Sequence, residues 1–194
     1  MREIAIVDLG IGNLANVRKA LGGVITNDPY EIDRAEKIVL PGVGNFGAVM
    51  ERLEPLRGVI LDTINEGKPF LGICLGMQLL FEESEESPGS RGLGVFEGKV
   101  VRFRGVRTPH IGWNQVFPSK ECPLFEGIKE GAYFYFVHSY YVNPRDEEVV
   151  AAKTDYESMV FTSAVCKDNV FGVQFHPEKS SKNGLRLLKN FRRL

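Results

Sequence analysis

A chain of 194 residues with 43% hydrophobic and 25% charged residues is long enough for one sizeable core and short for two full domains. Its 24 basic and 25 acidic side chains leave a formal charge of -1, without the electrostatic footprint of a nucleic-acid or anionic-membrane binder. No apolar run approaches the roughly 18 residues of a membrane span, and Asp8 interrupts M-R-E-I-A-I-V-D too early for a secretory signal. Cys74, Cys122 and Cys166 are odd in number and include no C-x-x-C pair. They point away from a disulfide framework or a zinc site and toward a reducing cytoplasm.

In chain order, E-I-A-I-V-D (3–8) is a near-continuous apolar run of strand length, followed by G-I-G-N and the amphipathic L-A-N-V-R-K-A-L. Gly10, Gly12 and Ala15 satisfy G-x-G-x-x-[G/A], with Asp28 further on. That outlines a dinucleotide-binding fingerprint, but the pattern is weak alone, and the turn reads as a structural or interface loop. K-I-V-L (37–40) is a second buried strand, closed by P-G-V-G-N-F, and a helical segment follows around Pro55–Glu66. P-F-L-G-I is a third strand leading into Cys74, and L-G-M-Q-L-L-F-E-E-S-E-E then reads as a helix ending before Pro88. Short apolar strands separated by helices imply right-handed βαβ units and a parallel sheet covered on both faces.

The second half is β-rich: G-K-V-V-R-F-R, Y-F-Y-F-V-H-S-Y-Y-V, E-V-V-A-A-K-T and S-M-V-F-T-S-A-V. Two runs flank K-D-N (167–169) as a hairpin, and the last 15 residues make an amphipathic helix. No repeat, low-complexity tract or linker interrupts the chain, which reads as one domain over 1–194. The fold class is mixed α/β with an antiparallel extension.

Cys74 lies in F-L-G-I-C-L-G-M-Q. Free cysteine is among the most buried residue types, so a core thiol is one reading. The other is a nucleophile: G-x-C-x-G after a strand and before a helix is the form of a strained elbow. Its glycines admit close backbone approach, and the helix N-terminus favours negative charge. The N–H of Leu75 would then donate to an oxyanion. A thiolate needs a base, and the base needs an orienting group. Among His110, His138 and His176, only His176 stands in H-P-E at a strand end. Pro177 biases His176 to an extended backbone, from which Glu178 at i+2 reaches one ring nitrogen and leaves the other for Cys74. His138 reads as a packed residue of an aromatic strand and His110, beside Pro109, as a loop residue at a surface. P-G-V-G (41–44) reads as a plain turn or as a second oxyanion donor.

Together, P-G-V-G, G-I-C-L-G-M-Q and F-G-V-Q-F-H-P-E-K-S resemble the class I (triad) glutamine amidotransferases. P-H-I-G-W-N, Y-F-V-H-S-Y, Q-F-H-P-E-K-S-S and G-L-R-L-L-K-N-F resemble, within that class, the glutaminase subunits of imidazole glycerol phosphate synthases. The likeness runs from the first strand to the last helix. It implies a flavodoxin-like, mostly parallel central sheet with helices on both faces and an antiparallel β extension. It also implies roles: Cys74 as nucleophile, His176 as general acid and base, and Glu178 as the group orienting it. Leu75, Val43 and Gly44 take the oxyanion positions, and the valine N–H rests either toward the site or turned away from it, in which case it must flip. Gln78, Glu86, Ser139 and Tyr140 become glutamine contacts, Glu86 suiting the α-ammonium and the 138–140 strand the α-carboxylate.

The resemblance implies no cofactor, no metal and a cytoplasmic heterodimer. The partner would be a (β/α)8-barrel cyclase subunit that uses the ammonia, because the chain has nothing left over to do so. Gly10, Gly12, Asn13, Trp113, Asn114 and Lys179 are the residues expected to face it. Two other readings fit the same fold: the glutaminase of an anthranilate, carbamoyl phosphate or pyridoxal phosphate synthase, and an inert flavodoxin-like binding module.

Overall fold

Short, continuously apolar strands must be covered on both faces, and the computed structural model, which describes residues 4–194, shows how. Glu3, expected to open the first strand, lies outside the described residues. β1 (Ile4–Val7), β3 (Lys37–Gly42) and β4 (Phe70–Cys74) are buried almost throughout. With β2 (Val24–Thr26) and β12 (Val170–Val173) they form a parallel set in the order β2-β1-β3-β4-β12. Successive residues of β1 enter different cores, Ala5 and Val7 one, Ile4 and Ile6 the other. The first core takes residues from α2 (Pro29–Arg34), α3 (Phe46–Leu53) and α4 (Arg57–Asn65). The second takes Val17 and Leu21 of α1 (Leu14–Leu21) with Leu187, Leu188 and Phe191 of α6 (Ser181–Arg193).

Beyond β12 the sheet turns antiparallel through β11 (Met159–Lys167), β10 (Val150–Tyr156), β7 (His110–Pro118) and β8 (Ala132–His138). β9 (Tyr140–Pro144) pairs with β11 and with β6 (Phe96–Arg102), and β6 runs parallel to β5 (Phe81–Ser84). The fold is therefore the expected flavodoxin-like α/β sheet with an antiparallel extension, and the hairpin around 167–169 is β11–β12.

Three local expectations are corrected. The helix expected over 75–86 is only four residues long, α5 (Leu75–Gln78), and the chain then enters β5. Glu82 accepts from the Gly98 N–H at 2.8 Å and Glu85 from the Arg102 N–H at 3.0 Å, so β6 recruits the segment as a strand. The P-G-V-G-N-F turn is followed at once by a full helix, α3, whose N-cap Asn45 accepts from Ala48 N–H at 3.1 Å. His110 is not in a surface loop: it is buried as the first residue of β7, directly opposite His138.

Candidate active site

Cys74 ends β4 and caps α5 with φ 55° and ψ -111°, a left-handed backbone unusual for a residue with a Cβ. Glycines make that turn possible. A Cβ on Gly76 would stand 1.8 Å from the Leu40 carbonyl oxygen, and one on Gly72 would stand 2.6 Å from the Gly76 oxygen. The elbow is thus packed backbone against backbone on β3, as the G-x-C-x-G spacing requires.

His176 leaves β12 on an extended backbone, φ -98° and ψ 95°, and its N–H donates to the Tyr135 carbonyl at 2.9 Å. Residues Pro177–Lys179 then form a single 3₁₀ turn. Glu178 Oε1 meets His176 Nδ1 at 2.9 Å, and both side chains are nearly sealed, at 3% and 4% exposure. The expected His176–Glu178 pair is present through a different geometry: the tight turn, not a continuing strand, folds Glu178 back onto the ring. Ser180 clamps the turn, its hydroxyl donating to the His176 carbonyl at 2.6 Å and accepting from Tyr135 N–H at 2.9 Å.

Burial works against charge on His176, but its interactions with the Cys74 and Glu178 side chains outweigh it and raise the pKa to about 10. Among the described residues Nε2 has no hydrogen-bond partner, which leaves it for the sulfur and for substrate. A folded pKa above the ordinary 6.5 stabilises the fold below pH 6.5, and this contribution fades as pH rises toward 10. In Cys74→Ala one of the two supports disappears, so the His176 midpoint should fall well below 10 in an NMR titration. An unchanged midpoint would show that the thiol does not hold the proton.

A cavity of about 260 Å³ opens over Cys74, and Leu75, Val43, Gly44, Gln78, Glu86, Ser139 and Tyr140 all line it, with Val137 and His138. Gly44 has φ +107° and Val43 is 38% exposed, so the P-G-V-G loop forms one lip. Glu86 is anchored by Phe46 N–H at 2.7 Å to its Oε2. Ser139 marks where the chain changes partners, from β7 to β6 and β11, and this break turns the 138–140 backbone toward the cavity. Gln78 is buried, its amide nitrogen spent on the Tyr140 carbonyl and on Gln174 Oε1, both at 3.1 Å.

Gln174 is a further residue at the site, one that the motifs do not mark. Its amide nitrogen lies 3.7 Å from Cys74 Sγ, and the signal was a lone polar residue in V-F-G-V-Q-F two positions before His176. His138 is packed and hydrogen-bonded as expected, with Nδ1 2.8 Å from the Tyr140 carbonyl. Burial lowers the His110 pKa to about 4 and the His138 pKa to about 3, so both are neutral near pH 7.

The residues expected at a partner surface do not form one cluster of contacts. Trp113 is 52% exposed and meets the Tyr135 ring edge-on at 6.1 Å, while Lys179 Nζ sits 5.9 Å over that same ring. Asn114 is half-buried, donating to the Asp155 carbonyl at 2.8 Å. Gly10, Gly12 and Asn13 are exposed, and both glycines have positive φ (71° and 90°), which accounts for their place in the turn. Among the described residues no group of acidic, histidine and cysteine side chains could hold a metal ion, and no helix is long and apolar enough to cross a membrane.

The family model described as "Glutamine amidotransferase class-I" matches residues 11–193. The imidazole glycerol phosphate synthase subunit HisH of Thermococcus kodakarensis is 78% identical, over 98% of this chain and all of that protein. The HisH subunit of Pyrococcus furiosus is 72% identical over the full length of both. Among solved structures, a glutamine amidotransferase superposes with a TM-score of 0.77 at 19% identity, covering 97% of this chain and 96% of the other. PurLQS from Thermotoga maritima gives 0.76 at 21% identity over 98% of each chain, a likeness of fold. The chain belongs to the class-I glutamine amidotransferase family and, within it, to the imidazole glycerol phosphate synthase subunit HisH family.

Proposed function

We propose that the chain is a single, cytoplasmic glutaminase domain that supplies ammonia to the cyclase subunit of an imidazole glycerol phosphate synthase. The observation that carries this reading is a strained, cavity-facing thiol whose interaction with His176, together with that of Glu178, raises the pKa of the sealed histidine. Full-length identity of 72–78% to HisH subunits supports the choice of synthase.

In the reaction, Cys74 Sγ attacks the γ-carbonyl carbon of glutamine. Negative charge develops on the carbonyl oxygen, within reach of the Leu75 N–H and the N–H groups of the Val43–Gly44 loop. His176 gives its proton to the departing nitrogen, ammonia leaves, and a γ-glutamyl thioester remains on Cys74. With its proton given up and the sulfur acylated, His176 is now a base. It takes a proton from water, the hydroxide attacks the thioester, and glutamate leaves as the thiol is restored. Glu178 keeps Nε2, not Nδ1, on the reacting side. Glu86, with Oε2 already held by Phe46 N–H, offers Oε1 to the α-ammonium, and the 139–140 backbone suits the α-carboxylate. Gln78 shapes that end of the cavity.

The cyclase, a (β/α)8 barrel, is the consumer of the ammonia in a heterodimer, converting its phosphoribulosyl-formimino substrate to imidazole glycerol phosphate and aminoimidazole carboxamide ribonucleotide. Support for a docking face comes from β7–β8: Ile111, Trp113 and Tyr133 are 59%, 52% and 52% exposed, and Tyr135 backbone pairs with His176. Docking there would sense and bias the 135–140 segment beside the cavity.

Glutamine turnover should be measured for the chain alone, with the cyclase, and with the cyclase plus its nucleotide ligand. The lone chain should be slow, and completing the oxyanion hole on assembly should raise turnover on the order of 10²-fold. Full activity alone would remove the case for partner control. Stimulation by an anthranilate or pyridoxal phosphate synthase instead of the cyclase would overturn the choice of synthase.

A further inference from the structure

We propose that His110 is a positioning residue for glutamine binding: acting through His138, it fixes the Tyr140 carbonyl and the 138–140 backbone, and ties them to Asn114 on the exposed strand β7. The inference rests on the glutaminase reading above, because the backbone concerned lines the cavity over Cys74.

Asn114 Oδ1 accepts from the Gln115 N–H at 2.7 Å, and its Nδ2 donates to the Asp155 carbonyl at 2.8 Å, which fixes the orientation of the amide. That same Nδ2 reaches His110 Nε2 at 3.4 Å. A nitrogen facing a donor must be the bare one, so His110 carries its hydrogen on Nδ1. His110 Nδ1 lies 3.0 Å from His138 Nε2, which must therefore accept. His138 then carries its hydrogen on Nδ1 and donates it to the Tyr140 carbonyl at 2.8 Å. Worked from the other end, a carbonyl only accepts, and the same two tautomers follow. Both ends agree.

Past Tyr140 the line continues to the nucleophile. The carbonyl also accepts from Gln78 Nε2 at 3.1 Å, Gln78 Nε2 meets Gln174 Oε1 at 3.1 Å, and Gln174 Nε2 lies 3.7 Å from Cys74 Sγ. Packing leaves the imidazoles little freedom: His110 stacks on Tyr156 at 4.0 Å and on Phe136 at 4.9 Å, and His138 lies 5.1 Å from Phe103 and 5.2 Å from Phe161. Their neutrality near pH 7 suits a line with one donor and one acceptor at each ring.

Without the Nδ1–H of His110, His138 Nε2 becomes a buried acceptor with no donor, a loss that ordinarily costs about 1–3 kcal/mol. His138 can relieve it by moving its hydrogen to Nε2, but the Tyr140 carbonyl then keeps only the Gln78 donor and faces a bare His138 Nδ1. Either way the 138–140 backbone loosens on the side of the cavity that takes the glutamine main chain. The His176–Glu178 pair has its own clamp in Ser180 and is untouched. The effect should therefore fall on glutamine binding rather than on chemistry.

The test uses His110→Phe, which keeps an aromatic ring without its polar atoms, and His110→Asn, whose amide nitrogen can replace the Nδ1 donor. Both are assayed in complex with the cyclase and its nucleotide ligand. His110→Phe should raise KM for glutamine about tenfold with kcat within about threefold of wild type, and His110→Asn should restore most of the loss. Nitrogen-15 NMR of the unmodified chain should show the Nδ1–H tautomer, the minority form in water, on both His110 and His138. Wild-type KM in both variants, a fall in kcat matching any rise in KM, failure of the asparagine to rescue, or an Nε2–H tautomer on either ring would overturn the proposal. Should the phenylalanine variant not fold, the asparagine variant and the spectrum still decide. An inactive wild-type complex would instead count against the glutaminase reading, and the tautomer measurement would stand apart from it.

Discussion

Cys74→Ala should lower glutamine hydrolysis by about 10⁵-fold or more, while the assembled complex keeps its reaction with free ammonia. Removing a covalent nucleophile takes away the acyl intermediate, and in a comparable hydrolase the loss is about 10⁶-fold. A residual rate over water is expected, because Leu75, Val43 and Gly44 still line the cavity proposed to take the carbonyl. Stability should fall modestly, because alanine keeps the Cβ at the strained elbow while His176 loses one of the two interactions that raise its pKa. Steady-state glutamate release and ammonia-dependent cyclisation, measured on the same preparation, separate these effects. A loss of both activities would point to a misassembled complex rather than to a missing nucleophile.

Gly76→Ala should be the most damaging small substitution at the elbow. The added methyl would meet the Leu40 carbonyl oxygen at 1.8 Å, a backbone atom that no rotamer change can move. Either β3 or the first turn of α5 must shift, and each carries part of the site, the P-G-V-G loop and Cys74 respectively. A cost above about 3 kcal/mol is expected, or roughly 10 °C of Tm in a chain of this size. Gly58→Ala in α4 is the control: nothing lies within 4 Å of its added Cβ, and alanine is the better helix former, so Tm should rise slightly. Thermal unfolding of both variants checks the pair. A soluble Gly76→Ala protein with the parent Tm would mean that the elbow is not packed against β3 as described.

Much of this site was legible because its logic is local. The glycines around Cys74 record a steric demand within five residues, and H-P-E places an orienting carboxylate beside its histidine within three. Strand runs such as K-I-V-L are legible for a related reason, since burial on both faces writes itself into consecutive residues. What was not legible depends on pairing between distant segments. The stretch after Gln78 carries helix-like glutamates, but strand β6 supplies backbone donors for Glu82 and Glu85, and pairing overrides local preference. His110 looked like a loop residue beside a proline, and only the β7–β8 register, which sets it opposite His138, gives it a buried partner. Gln174 is one polar residue in an apolar strand until β12 lies beside β4 and brings it to the sulfur. Cavity size would not have helped either: a cavity of about 740 Å³ beside Cys122 contains none of Cys74, His176 or Glu178.

The account stands or falls on whether Cys74 alone, of three buried thiols, is the armed one. The direct measurement is mass spectrometry of the chain in complex with its cyclase after exposure to a glutamine-mimicking electrophile. One adduct is predicted, on Cys74, suppressed by excess glutamine and absent from Cys74→Ala. Labelling of Cys122 or Cys166 in its place, or no protection by glutamine, would contradict it.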